Sequence, residues 1–526
     1  MTDLTGLRPI PLPVADALPE SGPAPRPGLT RRDFTRIGHG GLGDGHNNYA
    51  HSMAWFKNRL YLGTTRSNMA MLRLQSAYAE LPVEIWPVEG PETMDDLYAL
   101  DRRAQIWCFD PAAGTWEMVY RAPMIAGQDG DLVPRDIGYR SMELFQAPGT
   151  DEPALYISAW APSRAPGGLI LRTTDGRNFD PITQYGITDP PFSTTRSLTA
   201  FRGRLHFAPT ARRGTDGAQQ NSAGLPLIFA GDGAGTGTPA DWVVVNEPGF
   251  GDAGNLGVFS LAVANDRLYA GTLNLAGLQV WVTDGDTEGK DGLPYRWRKL
   301  IDKGAGRGPL NQAVACMTEF NGALYVGTGI QGGGNDRVNK IGPAAAEIIR
   351  INADDSWDLI MGDRDDSPTP ARAPLSGLRA GFGQFFNGYI WAMGVHDGWL
   401  YCGSYDWSIT LRWARLDATS DPMMRRLMQS IGPETIIAAE GGADLWRSAD
   451  GENWLPVDRQ GFGNPYNWGI RNLVSTPLGL FVGTANVFGP RVAVRTDAGW
   501  EYQDNPDGGL EVWLGQNRGH RPGAQD

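Results

Sequence analysis

Alternation of apolar and polar positions over four to ten residues dominates this chain, interrupted by turns rich in Gly, Asn and Asp. That period of two predicts strands rather than helices. One alternating segment recurs seven times: "LYLGT" at 60–64, "LYISA" at 155–159, "LHFAP" at 205–209, "LYAGT" at 268–272, "LYVGT" at 324–328, "LYCGS" at 400–404 and "LFVGT" at 480–484. Each copy follows an apolar run ending at Met53, Met142, Leu198, Leu261, Met317, Met393 or Leu473. In six copies that residue stands seven positions before the leucine of the next run, which predicts a hairpin of fixed register.

Each hairpin is followed by a third apolar run, "QIWCF", "LILR", "LIFAG", "LQVWV", "EIIRI", "DLWRS" and "VAVRT" in turn. A fourth then opens at Trp116, Phe179, Trp242, Trp297, Trp357, Trp454 or Trp500. Four strands repeated seven times predict an all-β fold, a seven-bladed β-propeller of four-stranded antiparallel blades. The segment "DFTRIGHG" at 33–40 matches the fourth-strand spacing as well. It either completes the last blade, displacing "GWEYQ" at 499–503, or adds a fifth strand. The expected organisation is a Pro-rich extended arm over 1–30, one propeller over 31–504 and a tail over 505–526. Long insertions at 65–104, 209–226, 329–345 and 405–442 fall after second strands and so on one face, with short helices expected in two of them.

Composition agrees with many short strands: 526 residues include 70 Gly, 38 Pro and 18 Trp. A net charge of −13 with no basic run argues against a nucleic acid or an anionic membrane as partner. No run of about 20 apolar residues offers a membrane span. Cys108, Cys316 and Cys402 are far apart, read as free thiols, and point to a cytoplasmic protein. "TRRDF" at 30–34 lacks the apolar stretch that a twin-arginine export signal requires.

The turns "TTDGRNF" at 173–179 and "SADGENW" at 448–454, with weaker forms at 282–286 and 495–500, resemble the Asp-box turns of sialidase-like and BNR-repeat propellers. In those families the aspartate accepts backbone hydrogen bonds within the turn, so the resemblance implies a propeller and carries over no catalytic residue. Iron-dependent carotenoid-cleavage oxygenases need four axial histidines, and here only His51 holds an inner-strand position. A galactose-oxidase-like copper site has no matching constellation. No cofactor and no metal is therefore expected.

Aligning the inner strands gives "NNYAHSM", "DIGYRSM", "FSTTRSL", "NLGVFSL", "NQAVACM", "NGYIWAM" and "NWGIRNL". The first column, Asn in five of seven, reads as turn residues bonding the backbone. The fifth column is His51, Arg140, Arg196, Phe259, Ala315, Trp391 and Arg471, which sets a cationic arc against an apolar one. Guanidiniums suit an anion, and His51 between them is expected to be neutral. His51, Tyr139 and Tyr389 are the candidate acid–base residues. Arg140, Arg196, Arg471, Trp391, Phe259, Arg66, Trp160, Asp406 and Trp407 are the candidate binding residues.

The expected function is binding of a small organic anion with an apolar portion in an axial pocket, with hydrolase or lyase chemistry if the protein is an enzyme. A glycan-active propeller, for which only Asp136, Glu143 and Asp406 offer carboxylates, is one alternative. A scaffold holding protein partners through the insertions is another.

Overall fold

The computed structural model describes residues 27–74, 82–212, 226–235, 237–364, 372–415 and 422–517. Most of the expected N-terminal arm, and parts of the insertions at 65–104, 209–226 and 405–442, lie outside the described residues.

The repeated hairpins form as the spacing requires. Lys57 and Asn58, Asn265 and Asp266, Asn321 and Gly322, and Asp397 and Gly398 all take positive φ. Two such residues in succession make the tight turn whose twist matches that of paired strands, and this turn fixes the register. Met53 accordingly lies opposite Leu62, Leu261 opposite Ala270 and Met393 opposite Cys402.

Third and fourth strands add outward in antiparallel order. In the first unit Asn47–Phe56, Arg59–Arg66, Gln105–Asp110 and Thr115–Arg121 pair in sequence. Five further units repeat this order, beginning at the inner strands Gly138–Phe145, Phe192–Phe201, Asn255–Ala264, Ala313–Phe320 and Asn387–His396. Each inner strand packs beside the inner strands of its neighbours, and that of the seventh unit, Gly469–Thr476, lies against Asn47–Phe56. The architecture is propeller-like, antiparallel and predominantly β.

The seventh unit departs from expectation. Its second strand, Gly479–Ala485, pairs with Val512–Gly515, which pairs in turn with Phe34–Gly38. "VAVRT" and Trp500 are therefore not its third and fourth strands. Arg491–Thr496 and Gly499–Asp504 form a separate hairpin, joined to the first insertion by the Val88–Val492 bridge and by Tyr502 Oη donating to the Trp86 carbonyl. The stretch expected as a tail from 505 thus supplies a strand, and of the two readings of "DFTRIGHG" the first holds.

The reason is a repeated polar lock. Asn47, Asn255, Asn311, Asn387 and Asn467 donate to the carbonyls of Gly41, Gly249, Gly304, Gly381 and Gly461, all within 2.8–3.0 Å. The same amides donate to Gln105, Gln279, Glu347, Asp444 and Glu511, the residues that lead into third strands. Glu511 fills this place in the seventh unit, and Trp513 donates to it as Trp107, Trp281 and Trp446 donate to their partners. The first column of the alignment is structural.

Spacing between units is set by the glycine of the repeated second strand. A Cβ on Gly271 would stand 2.4 Å from Val314 of the next unit, and one on Gly403 would stand 2.4 Å from Ile470. Only a hydrogen there allows the sheets to approach this closely. In the turns, Asp175 and Asp450 each accept two backbone N–H groups; these lower the Asp175 carboxyl, and the Asn453 side chain followed by the backbone lowers that of Asp450 against the effect of burial. Cys108, Cys316 and Cys402 are free thiols.

Candidate functional site

Every inner strand carries a β-bulge at the fifth column. Ala50 pairs with Thr64 and Ser52 with Gly63, which leaves His51 without a partner. The same shift falls at Arg140, Arg196, Phe259, Ala315, Trp391 and Arg471. A bulge re-aims the extra side chain, and these seven side chains all line one cavity of about 860 Å³. Residues of the sixth column fasten several of these bulges to the next unit: Ser52 Oγ donates to the Tyr139 carbonyl at 2.7 Å, and Cys316 Sγ to the Ile390 carbonyl at 3.3 Å.

Each arginine of the arc lies over an aromatic ring. The guanidinium carbon of Arg140 is 5.1 Å from the ring centre of Trp160, that of Arg196 is 3.9 Å from Phe259, and that of Arg471 is 5.4 Å from Trp391. This cation–π seating holds the planar forks in place. Burial lowers Arg471 to about 10, and burial followed by repulsion from Arg471 lowers Arg196 to about 10. Arg140 is pushed well below its ordinary value by burial and then by Arg196 and Arg471. Among the described residues no Asp or Glu lines the cavity, although the whole chain carries a net charge of −13.

His51 is buried, and its Nδ1 is hydrogen-bonded to Thr65 Oγ1, so Nε2 is the nitrogen left for a ligand. Burial, then the charges of Arg471, Arg140 and Arg196, hold the imidazole well below its ordinary value, and it is neutral at pH 7. Trp391, which carries Arg471, sits 5.2 Å from Tyr405 and 5.9 Å from both Tyr49 and Tyr389, ring centre to ring centre. Tyr389 Oη accepts the amide of Gly333 at 2.9 Å, which ties the 329–345 insertion to this wall. Pro82, Val83, Leu411 and Ala414 line the cavity from the insertions, as do Arg337, Lys340 and Arg415. Val83 and Ala414 bridge the first and fourth insertions, and Trp413 Nε1 donates to the Ala493 carbonyl.

Three expected site residues are elsewhere. Tyr139 is fully buried between units, its Oη donating to Asp136 at 3.1 Å, while Asp136 also accepts both Arg135 nitrogens. Arg66 is buried on Asn47 and ion-paired with Asp44 at 2.8 Å. Asp406 is fully buried, accepting from the Ser408 amide and hydroxyl and from Gln384. The periodicity that correctly aligned them does not say which face of a strand meets the axis. Trp160, Trp407 and Tyr389 do line the cavity, and Tyr49, Tyr405 and Trp468 line it although not foreseen. Tyr49 shares the third column with Tyr389, the one signal that pointed to it.

Among the described residues no group of three or more His, Cys, Asp or Glu is placed to hold a metal ion, and no helix is long and apolar enough to cross a membrane.

The structure is that of a propeller-like β protein with a cavity lined by basic and aromatic side chains. No protein-family model matches the chain, and no curated protein matches it in sequence. Among solved structures, a puromycin hydrolase aligns over 90% of this chain and 55% of its own, with 11% identity and a TM-score of 0.41. The α-L-arabinanase of Penicillium chrysogenum, complexed with arabinobiose, aligns over 68% and 89%, with 11% identity and a TM-score of 0.34. The acylaminoacyl peptidase of Pyrococcus horikoshii aligns over 86% and 51%, with 9% identity and a TM-score of 0.37. The chain thus spans about half the length of the first and third of these proteins, and likenesses this distant assign neither family nor activity.

Proposed function

We infer that the seven units close into a seven-bladed β-propeller whose axial cavity binds a small organic anion carrying an apolar portion. The observation that supports this is the arc of Arg471, Arg140 and Arg196, each seated on an aromatic ring, with no acidic side chain among the described lining residues. The planar guanidinium forks in this wall suit an anionic ligand. The aromatic wall around Trp391 supplies the apolar half of the contact.

In this reading the reaction is hydrolysis or elimination. Neutral His51 takes a proton at Nε2, and Tyr389, on the same cavity wall as Trp391, is the candidate hydroxyl. A glycosidase-type carboxylate pair is weakly supported, since Asp136, Glu143 and Asp406 are absent from the described lining.

A thermal-shift screen of carboxylates, sulfates and phosphates against the native chain and Arg196→Ala tests the binding. A ligand that raises the melting temperature of the native chain and not of Arg196→Ala supports it; a screen with no hit, or one whose hits survive the substitution, overturns it. Product analysis with His51→Gln then tests the chemistry on whichever ligand is found.

A further inference from the structure

One junction in the first unit is not explained by the repeat. Strand Arg59–Arg66 runs through Ser67 directly into a short helix, Asn68–Arg73, and Ser67 at the join is left-handed, with φ 52° and ψ 40°. Leu275, Gln331, Trp407 and Val487 hold the same place in other units, and none of them has a positive φ. Left-handed backbone costs a serine energy, and such strain gathers at functional sites.

Ser67 does not serve as a helix cap either. A serine before a helix ordinarily accepts a backbone N–H through its hydroxyl, and this one makes no such bond. Its Oγ lies 3.1 Å from His46 Nδ1 instead. The backbone sets the two side by side: Asn47 pairs with Arg66, and one step further the Ser67 amide donates to the His46 carbonyl at 2.9 Å.

Both residues line a cavity of about 320 Å³ between the first insertion and the 487–491 segment, and among the described residues it shares no lining with the axial cavity. Ala70, Val88, Pro91, Leu100 and Val487 give it an apolar surface. Asn48 lines it too; its Nδ2 gives one hydrogen to the Gly45 carbonyl at 3.1 Å and carries a second, the candidate donor to a substrate carbonyl oxygen. Burial lowers the His46 imidazole; Asp44 opposes this, Arg66 adds to it, and the net shift is downward, so the imidazole is neutral at pH 7. Asp44 is ion-paired to Arg66 and accepts the His46 backbone amide.

We propose that Ser67 and His46 form a catalytic site separate from the axial cavity, a serine–histidine dyad that hydrolyses esters of short, uncharged acids. His46 Nδ1, with the ring proton on Nε2, takes the Ser67 Oγ proton as Oγ bonds to the ester carbonyl carbon. The bond from that carbon to the alkoxy oxygen then breaks, and the alcohol leaves with the proton from Nδ1. Water gives a proton to the same nitrogen and attacks the acyl carbon; the acid departs and Oγ recovers its proton. The apolar lining excludes a charged acyl group, and the cavity's size keeps the acyl chain short.

Mixing the full chain with p-nitrophenyl acetate tests this. A burst of p-nitrophenolate approaching one equivalent is expected, with one acetyl group per chain by intact mass, mapped to Ser67 by peptide mass. Ser67→Gly supplies the residue that left-handed backbone favours, so it should be at least as stable as the native chain and show no burst. His46→Gln should slow the burst at least about a hundredfold. Mapping on the native chain needs no variant, so it decides the matter even where a substitution hinders folding.

Acetyl groups found only away from Ser67, or a burst undiminished in folded Ser67→Gly or His46→Gln, overturn the dyad. So does the absence of acylation by both the acetate and the butyrate ester. Such a failure leaves the axial anion site standing, since the two cavities share no described lining residue.

Discussion

Arg196 and Phe259 belong to neighbouring units, and the guanidinium carbon of the first stands 3.9 Å from the ring centre of the second. Among the described residues that line the cavity with them there is no Asp or Glu. The neighbours of Arg196 in the arc are held in the same way, by Trp160 and Trp391.

That relationship predicts opposite effects on stability and binding. Arg196→Met should stabilise the ligand-free chain by about 1–3 kcal/mol in chemical denaturation, because a buried charge is replaced by an apolar side chain of similar length. The same variant should lose anion binding. Phe259→Leu should leave stability nearly level and weaken binding by about 0.5–2 kcal/mol, by unseating the guanidinium.

Glu143 gives a pH dependence. Burial raises its carboxyl to about 7 from an ordinary 4.5, against a weaker opposing effect of the Ala200 amide that it accepts. Below about pH 4.5 folded and unfolded chains both hold the proton, and its contribution is intact. Between 4.5 and 7 the unfolded chain releases a proton that the folded chain keeps, so stability falls as pH rises, by about 1.4 kcal/mol per pH unit at most. Glu143→Gln should therefore be more stable than the native chain at pH 8, by up to about 3 kcal/mol, and nearly equal to it at pH 4.5. Urea melts at the two pH values check this, and an equal effect at both would refute it.

The close approach between sheets predicts that Gly271→Ala destabilises. The added methyl meets Val314 at 2.4 Å in a packed interface, and overpacking of this kind costs about 1–3 kcal/mol. Gly403→Ala, which meets Ile470, should cost a similar amount. Denaturant midpoints measure both.

The strand order of the seventh unit separates two tryptophans. Trp513 is buried, stacks on Phe462 at 4.8 Å and donates to Glu511, so Trp513→Ala should cost about 3–5 kcal/mol. Trp500 lies on the separate hairpin, partly exposed, with Glu84 as its acceptor. Trp500→Ala should cost about 1 kcal/mol or less. A reversal of that order would contradict the pairing of Val512–Gly515 with Gly479–Ala485.

Much of this was legible in the chain because strands and tight turns are local. Alternation, the two-residue turns and the recurring "LYxGT" run are enough to define each hairpin, its register and its number of copies. The alignment they allow also brings His51, Arg140, Arg196 and Arg471 into one column. "GGLEVWLG" at 508–515 carried the same acid-and-tryptophan spacing as "ADLW" at 443–446, a signal of the seventh unit's third strand that the nearer run "VAVRT" obscured.

Tertiary structure decided the rest. Whether a strand residue faces the axis or the gap between sheets depends on the bulge, and a bulge is a property of two paired strands, not of one. That is why His51 and Arg140 reach the cavity while Tyr139, one residue away, is locked on Asp136. Arg66 and Asp406 were set aside by partners distant in sequence, Asp44 and Gln384. Local sequence determines the repeated hairpin; the packing of each unit on the next determines which side chains remain to meet a ligand.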